Sequence, residues 1–214
     1  MRYMIEFSKN DRMKYISHLD LMRFFVRAFR RAGIDLLYSH GYNPHPKIGI
    51  AQPLSLGYAS TGDLMEIETA RELTEEERSS FISGMPKGLS IDAIQGIEPG
   101  KSLASRVTAA EFTAGIPLEG RPVPDDIDDR FISQESIVVT KPQKKKGLVE
   151  IDIKGMIRSL NTIKVDDNLF MTMELDAGST SNLSPELVLQ AFYRYMHWEL
   201  KREKVEIIRT GLKM

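Results

Sequence analysis

The chain has 214 residues, of which 42% are apolar and 28% charged, with a formal net charge of −1. That length allows one large domain or two of about 100 residues, and the balance is ordinary for a soluble globular protein. With no cysteine, disulfides, thiolate metal sites and an iron–sulfur cluster carried by this chain are excluded, and no apolar run approaches the roughly 18 residues that span a bilayer.

MRYMIEF at the N-terminus moves straight into a strand pattern, without the basic region, apolar core and cleavage site of a signal peptide. A cytoplasmic protein is expected, with no membrane partner. The near-neutral total hides a separation. Residues 1–50 carry nine Lys/Arg against four Asp/Glu, residues 61–135 seven against sixteen, and residues 136–214 thirteen against ten. A basic N-terminal segment points to a local patch for anions; the acidic middle reads as a solvating surface.

In chain order, Tyr3, Ile5 and Phe7 alternate on one face of a strand. Ser17 can cap a helix over residues 18–32, answered by Asp20, and Met22, Phe25, Val26 and Phe29 recur on its apolar face; Gly33 sits where a left-handed terminal residue belongs. Residues 34–39 and 47–54 are strand-like, and 63–69 alternate again. Thr74 and Glu77 form a capping box for a second helix ending near Gly84 or Pro86, and residues 89–97 supply a closing strand. The order β-α-β-β-α-β is that of a ferredoxin-like domain over residues 1–100.

Residues 98–102 read as a linker. Beyond them, 108–118 look extended, and the prolines and aspartates of 117–129 mark a turn and a short helix start. Residues 137–140 and 148–153 read as strands joined by the basic turn 141–146, 169–175 as a further strand, Ser184-Pro185 as a helix start, and 205–212 as a last strand. The expectation is an α+β chain of two ferredoxin-like domains in tandem, 1–100 and 105–214, the second imperfect.

On a 3.6-residue helix, Arg23, Arg27, Arg30 and Arg31 cluster opposite the apolar face, a stripe of guanidinium forks suited to phosphate oxygens. His18 opens that helix, where the exposed amides favour a neutral imidazole; it can serve as a general base or as a structural cap. His18, Asp20 and His45 match no metal-ligand spacing, and no metal is expected.

The segment GYNPHPKIGIAQPLSLG, residues 41–57, concentrates turn chemistry beside a strand pattern. Pro44 and Pro46 stiffen the chain around His45; Tyr42 can stack on a base, and Asn43, His45 and Lys47 can meet phosphate or base edges. The plain alternative is a hairpin whose prolines guard an edge strand. Lys144, Lys145 and Lys146 read as a charged hairpin tip, Tyr193, Tyr195 and Trp198 as packing residues of the last helix, and His197 has no evident partner. No P-loop, dinucleotide fingerprint or nucleophile elbow is present.

Residues 14–57, KYISHLDLMRFFVRAFRRAGIDLLYSHGYNPHPKIGIAQPLSLG, resemble the signature of the bacterial radical-SAM-linked proteins, a family of unknown function. In that family the domain occurs beside or fused to a radical S-adenosylmethionine (SAM) protein, often with a cobalamin-binding-like region. The resemblance implies a partner that holds the iron–sulfur cluster and S-adenosylmethionine, with no cofactor on this chain, and it brings no catalytic residues. The order of elements is also similar to that of the CRISPR-associated repeat-RNA endoribonucleases, whose C-terminal glycine-rich segment is absent here.

The function expected is an accessory RNA-binding module, with tRNA or rRNA as candidate ligands, that presents RNA to a radical SAM partner. One alternative is a metal-independent ribonuclease or RNA-modifying enzyme using His18 or His45 as base and Lys47 to stabilise developing charge. Another is a protein-binding scaffold whose arginine face meets an acidic surface.

Overall fold

The computed structural model describes residues 1–143 and 147–214; the expected lysine turn at 144–146 lies outside them. The chain forms two compact units, one of Met1–Val107 with Arg209–Leu212 and Met214, the other of Thr108–Ile208 with Lys213.

The first unit runs β1 (Arg2–Lys9), α1 (His18–Arg31), β2 (Ile48–Ile50), β3 (Ala59–Glu68), α2 (Glu75–Ser83) and β4 (Leu89–Gly96), followed by the four-residue helix α3 (Leu103–Arg106). Its strands lie in the order β4-β1-β3, with β2 antiparallel to the end of β3 from Met65 to Ile67. This is the ferredoxin-like arrangement, with every neighbouring pair antiparallel. The alternation read from β1 holds: Tyr3, Ile5 and Phe7 enter the core with the aromatic side chains of both helices. Phe29 stacks on Phe81 with ring centroids 4.3 Å apart, and Phe7 meets Phe25 edge-on at 5.1 Å.

The local helix signals also hold. Ser17 accepts from the Asp20 amide, and Thr74 and Glu77 satisfy each other's amides in a full capping box. Gly33 takes φ 78°, and the Ile34 amide reaches back to the Phe29 carbonyl, closing α1. The inward stripe of α1 is rotated from the one expected. Leu21, Phe25, Ala28 and Phe29 are buried, while Met22 packs only partly against the core and Val26 is half-buried. The small Ala28 is buried in the core, a position that hydrophobicity alone does not disclose.

Two expected strands shrink. Residues 34–39 make only isolated bridges, Leu36 to Thr69 and Tyr38 to Pro46, and of 47–54 only Ile48–Ile50 is strand. Pro44, Pro46 and Pro53 have no amide hydrogen to give a ladder, and the Gln52 carbonyl accepts from the Arg209 guanidinium instead.

The second unit runs β5 (Ala109–Pro117), α4 (Ile127–Ile132), the hairpin β6 (Val138–Gln143) and β7 (Gly147–Asp152), β8 (Ile157–Val165), β9 (Asn168–Asp176), α5 (Pro185–Tyr195) and the start of β10 (Glu206–Lys213), whose residues Arg209–Leu212 are counted with the first. Within it the order is β10-β5-β9-β8, again ferredoxin-like once the β6–β7 hairpin is read as an insertion after α4. Phe131 of α4 packs edge-on to Phe192 of α5 at 5.4 Å. Strand β8 has no counterpart in the sequence pattern. Only Leu160 of its nine residues is buried, so it lacks the alternation by which a half-buried strand is recognised. The fold class is thus α+β and ferredoxin-like in each unit.

Candidate functional site

The arginine stripe is exposed along α1, opposite the aromatic residues that anchor the helix. Arg23 donates to Asp20 at 3.2 Å, and the Arg31 guanidinium lies 5.9 Å from the centre of the Phe24 ring. The Ser17 hydroxyl, then Arg23, holds the Asp20 carboxyl below its ordinary pKa, so it stays ionised. Arg27 and Arg30 make no hydrogen bond or ion pair among the described residues. Arg31 likewise makes only its ring contact among them, so three of the four guanidinium groups keep their full donor capacity.

The proline-rich segment folds back on itself. The Ser39 amide donates to the His45 carbonyl at 2.8 Å, the His45 amide to the Ser39 hydroxyl at 3.0 Å, and the Lys47 amide to the Leu37 carbonyl at 2.7 Å. Tyr42, Asn43 and His45 are exposed, Tyr42 completely. Lys47 differs from the expectation of a free ammonium. It stands 2.6 Å from Glu68, which already offsets its charge. Binding of phosphate, or stabilisation of a developing charge, requires that pair to open. No hydrogen bond or ion pair among the described residues joins the arginine stripe to this loop.

His18 is exposed at the first turn of α1, yet it lines a cavity of about 10 Å³, room for one water. Lys9 and Asp63 line the same cavity. Asp63 pairs with Arg209 at 2.7 Å, and Arg209 also donates to the Gln52 carbonyl at 2.6 Å. Lys9 and Asp63 are 2% exposed and Arg209 1%. Two cations thus share one carboxylate away from solvent. Burial pushes the Lys9 ammonium below its ordinary pKa, partly opposed by Asp63 and reinforced by Arg209. The Ser60 hydroxyl is also buried, without a partner among the described residues.

Sequence reasoning missed this cluster, though a signal existed. Lys9 continues the inward alternation Tyr3, Ile5, Phe7, and Arg209 follows the buried Ile207 at the same spacing. A charged residue at an inward strand position needs a buried counter-charge.

A broader cleft of about 940 Å³ opens near the start of β1, walled by Arg2, Tyr3, Glu66, Glu68 and Arg78. Its charges are largely spent on one another. Arg2 pairs with Glu66, Glu68 with Lys47, and the Arg78 guanidinium lies over the Tyr3 ring while donating to the Ile94 carbonyl. Among the described residues no three His, Asp or Glu side chains gather closely enough to hold a metal ion, and no helix is long and apolar enough to cross a membrane.

Residues 2–185 match the family described as "Uncharacterized protein conserved in bacteria (DUF2344)". No curated protein matches the chain. Among solved structures, 98% of the chain overlays 48% of a chain in the crystal structure of a Cbf5–Nop10–Gar1 complex, with TM-score 0.51 and 10% identity. The chain spans about half the length of that relative, and at such identity the likeness is one of fold. An unknown protein from Galdieria sulphuraria (13% identity, 99% of this chain and 96% of that one, TM-score 0.29) is more distant. So are the first two RRM domains of yeast poly(U) binding protein (11% identity, 96% and 98%, TM-score 0.23).

Proposed function

The chain belongs to that bacterial family, and we propose that it is an accessory module that binds structured RNA, such as tRNA or rRNA, and presents it to a radical SAM partner. The α1 stripe carries the RNA reading. Arg23, Arg27 and Arg30 or Arg31 stand on successive turns, about 5.4 Å of rise each, on a helix pinned from behind by Phe25 and Phe29. The helix fixes the spacing of the four side chains along its axis, and the planar guanidinium fork matches phosphate oxygens. The exposed Tyr42, with Asn43 and His45, adds a stacking ring and polar groups for unpaired bases.

The partner half of the proposal rests on the resemblance of residues 14–57 to the radical-SAM-linked proteins. A chain without cysteine needs its partner to carry the cluster and the S-adenosylmethionine.

Replacing Arg23, Arg27, Arg30 and Arg31 together by glutamine is expected to leave the circular dichroism spectrum intact and abolish RNA retention in filter binding. Unchanged retention removes the assigned surface; loss of an acidic protein in place of RNA turns the reading to a scaffold. Co-purification of an untagged radical SAM protein tests the partner, and reproducible failure counts against it.

A further inference from the structure

We infer that the second unit carries a binding site for a small zwitterion, in chemical class a free amino acid, between the turn that follows β5 and the turn that follows α5. This goes beyond the RNA reading and does not depend on it.

Beyond β5 the chain reverses through Glu119 (φ 51°) and Gly120 (φ 74°) and delivers Arg121. The Arg121 guanidinium is fixed on three sides. Its Nε donates to the Leu118 carbonyl and its Nη2 to the Pro117 carbonyl, both at 2.7 Å, and its centre lies 4.4 Å from the Trp198 ring centroid. Trp198 is placed by the end of α5, where His197 takes φ 55° and the Trp198 amide returns to the Tyr193 carbonyl at 2.8 Å. Backbone held in the left-handed region by residues other than glycine thus occurs in both turns.

A cavity of about 200 Å³ lies here, lined by Arg121, Tyr193, Glu199 and Lys201. At roughly 30 Å³ per water, that is the space of about seven waters, enough for a small metabolite and too little for a nucleotide. Tyr193 is 3% exposed, and its hydroxyl has no hydrogen-bond partner among the described residues. Among the described residues the enclosed side-chain polar atoms without a hydrogen-bond partner are Ser60 Oγ and Arg78 Nε, so the Tyr193 hydroxyl is reached from the cavity. Burial also holds this phenol above its ordinary pKa, so it remains a neutral donor.

The charges around the cavity decide the ligand. Glu119 pairs with Lys204 and also stands 3.8 Å from the Arg121 Nη2. That leaves the Arg121 Nη1, the Lys201 ammonium and the Glu199 carboxylate without hydrogen-bond or ion-pair partners among the described residues. Two cationic donors and a hydroxyl suit a carboxylate; one free carboxylate suits an ammonium. Phosphate would face Glu119 and Glu199, and a simple amine would face Arg121 and Lys201. A zwitterion answers both signs at once.

The test is thermal denaturation and titration calorimetry of the full chain with each of the common amino acids at up to roughly 10 mM, with acetate, phosphate and ethylamine as probes of a single charge sign. At least one amino acid is expected to raise Tm and the single-sign probes to leave it unchanged. Tyr193→Phe keeps the ring and Lys201→Gln changes an exposed side chain. Each is expected to weaken binding about tenfold or more, while Arg27→Gln has no effect. Absence of amino-acid binding, equal binding of acetate or phosphate, or undiminished affinity in both variants overturns the inference.

Discussion

Arg209 and Asp63 stand 2.7 Å apart, 146 positions distant in sequence, with 1% and 2% of their side chains exposed. Such a pair is held less by net Coulomb gain than by the cost of leaving either charge alone. Lys9 makes the cluster positive, and among the described residues Asp63 is the buried carboxylate that opposes it. Asp63→Asn is therefore expected to lower unfolding free energy by roughly 3–5 kcal/mol. Lys9→Met, which removes a desolvated ammonium and leaves a neutral pair, is expected to be within about 1 kcal/mol of wild type or more stable. Urea denaturation of both variants decides it, and a Lys9→Met protein as damaged as Asp63→Asn would refute the charge account.

The same ammonium gives a pH signature. Its folded pKa lies below the ordinary lysine value of 10.5, so between the two the unfolded chain binds more protons. Stability from this group therefore rises with pH across that window. Unfolding curves from neutral to alkaline pH should show the difference between wild type and Lys9→Met narrowing toward pH 10.5. A difference that widens contradicts it.

At the acid end, Glu77 is held down to about pKa 2, first by the Arg71 guanidinium and then by the Thr74 amide. Arg71 grips both carboxylate oxygens, at 2.9 and 2.6 Å. A lowered carboxylate pKa contributes stability that is complete above the ordinary value of 4.5 and disappears as pH falls toward 2. Arg71→Gln should flatten that part of the acid unfolding profile while changing the alkaline part little. An unchanged acid limb would show that the grip is not made in solution.

For the proposed RNA surface, Arg27 and Arg30 are the most informative positions because neither makes a hydrogen bond or ion pair among the described residues. Each phosphate that is no longer gripped should lower the salt dependence of binding by about one unit of logarithmic slope. Arg27→Gln with Arg30→Gln is thus expected to reduce the slope by about two. An equal slope with weaker binding would place the phosphates elsewhere.

Tyr42 separates binding from stability. Its ring is wholly exposed, so Tyr42→Ala should leave unfolding free energy within about 0.5 kcal/mol. RNA affinity should fall by roughly 1–3 kcal/mol if a base stacks there. Affinity unchanged within error removes Tyr42 from the interface.

What the sequence alone determined was local. Thr74 and Glu77 specify a capping box, Gly33 a left-handed helix end and Tyr3-Ile5-Phe7 a core-facing strand, because caps, turns and alternation depend on residues a few positions apart. The ferredoxin-like order follows from such elements taken in series, and the arginine stripe from helical spacing. The tertiary structure decided whatever depends on distant partners. Ala28 rather than Val26 is buried, Lys47 is spent on Glu68, and β8 exists although only Leu160 is buried. Lys9, Asp63 and Arg209 lie far apart in sequence and meet in the interior. No local pattern encodes that meeting, since the energy that fixes it comes from desolvating charges that only folding brings together.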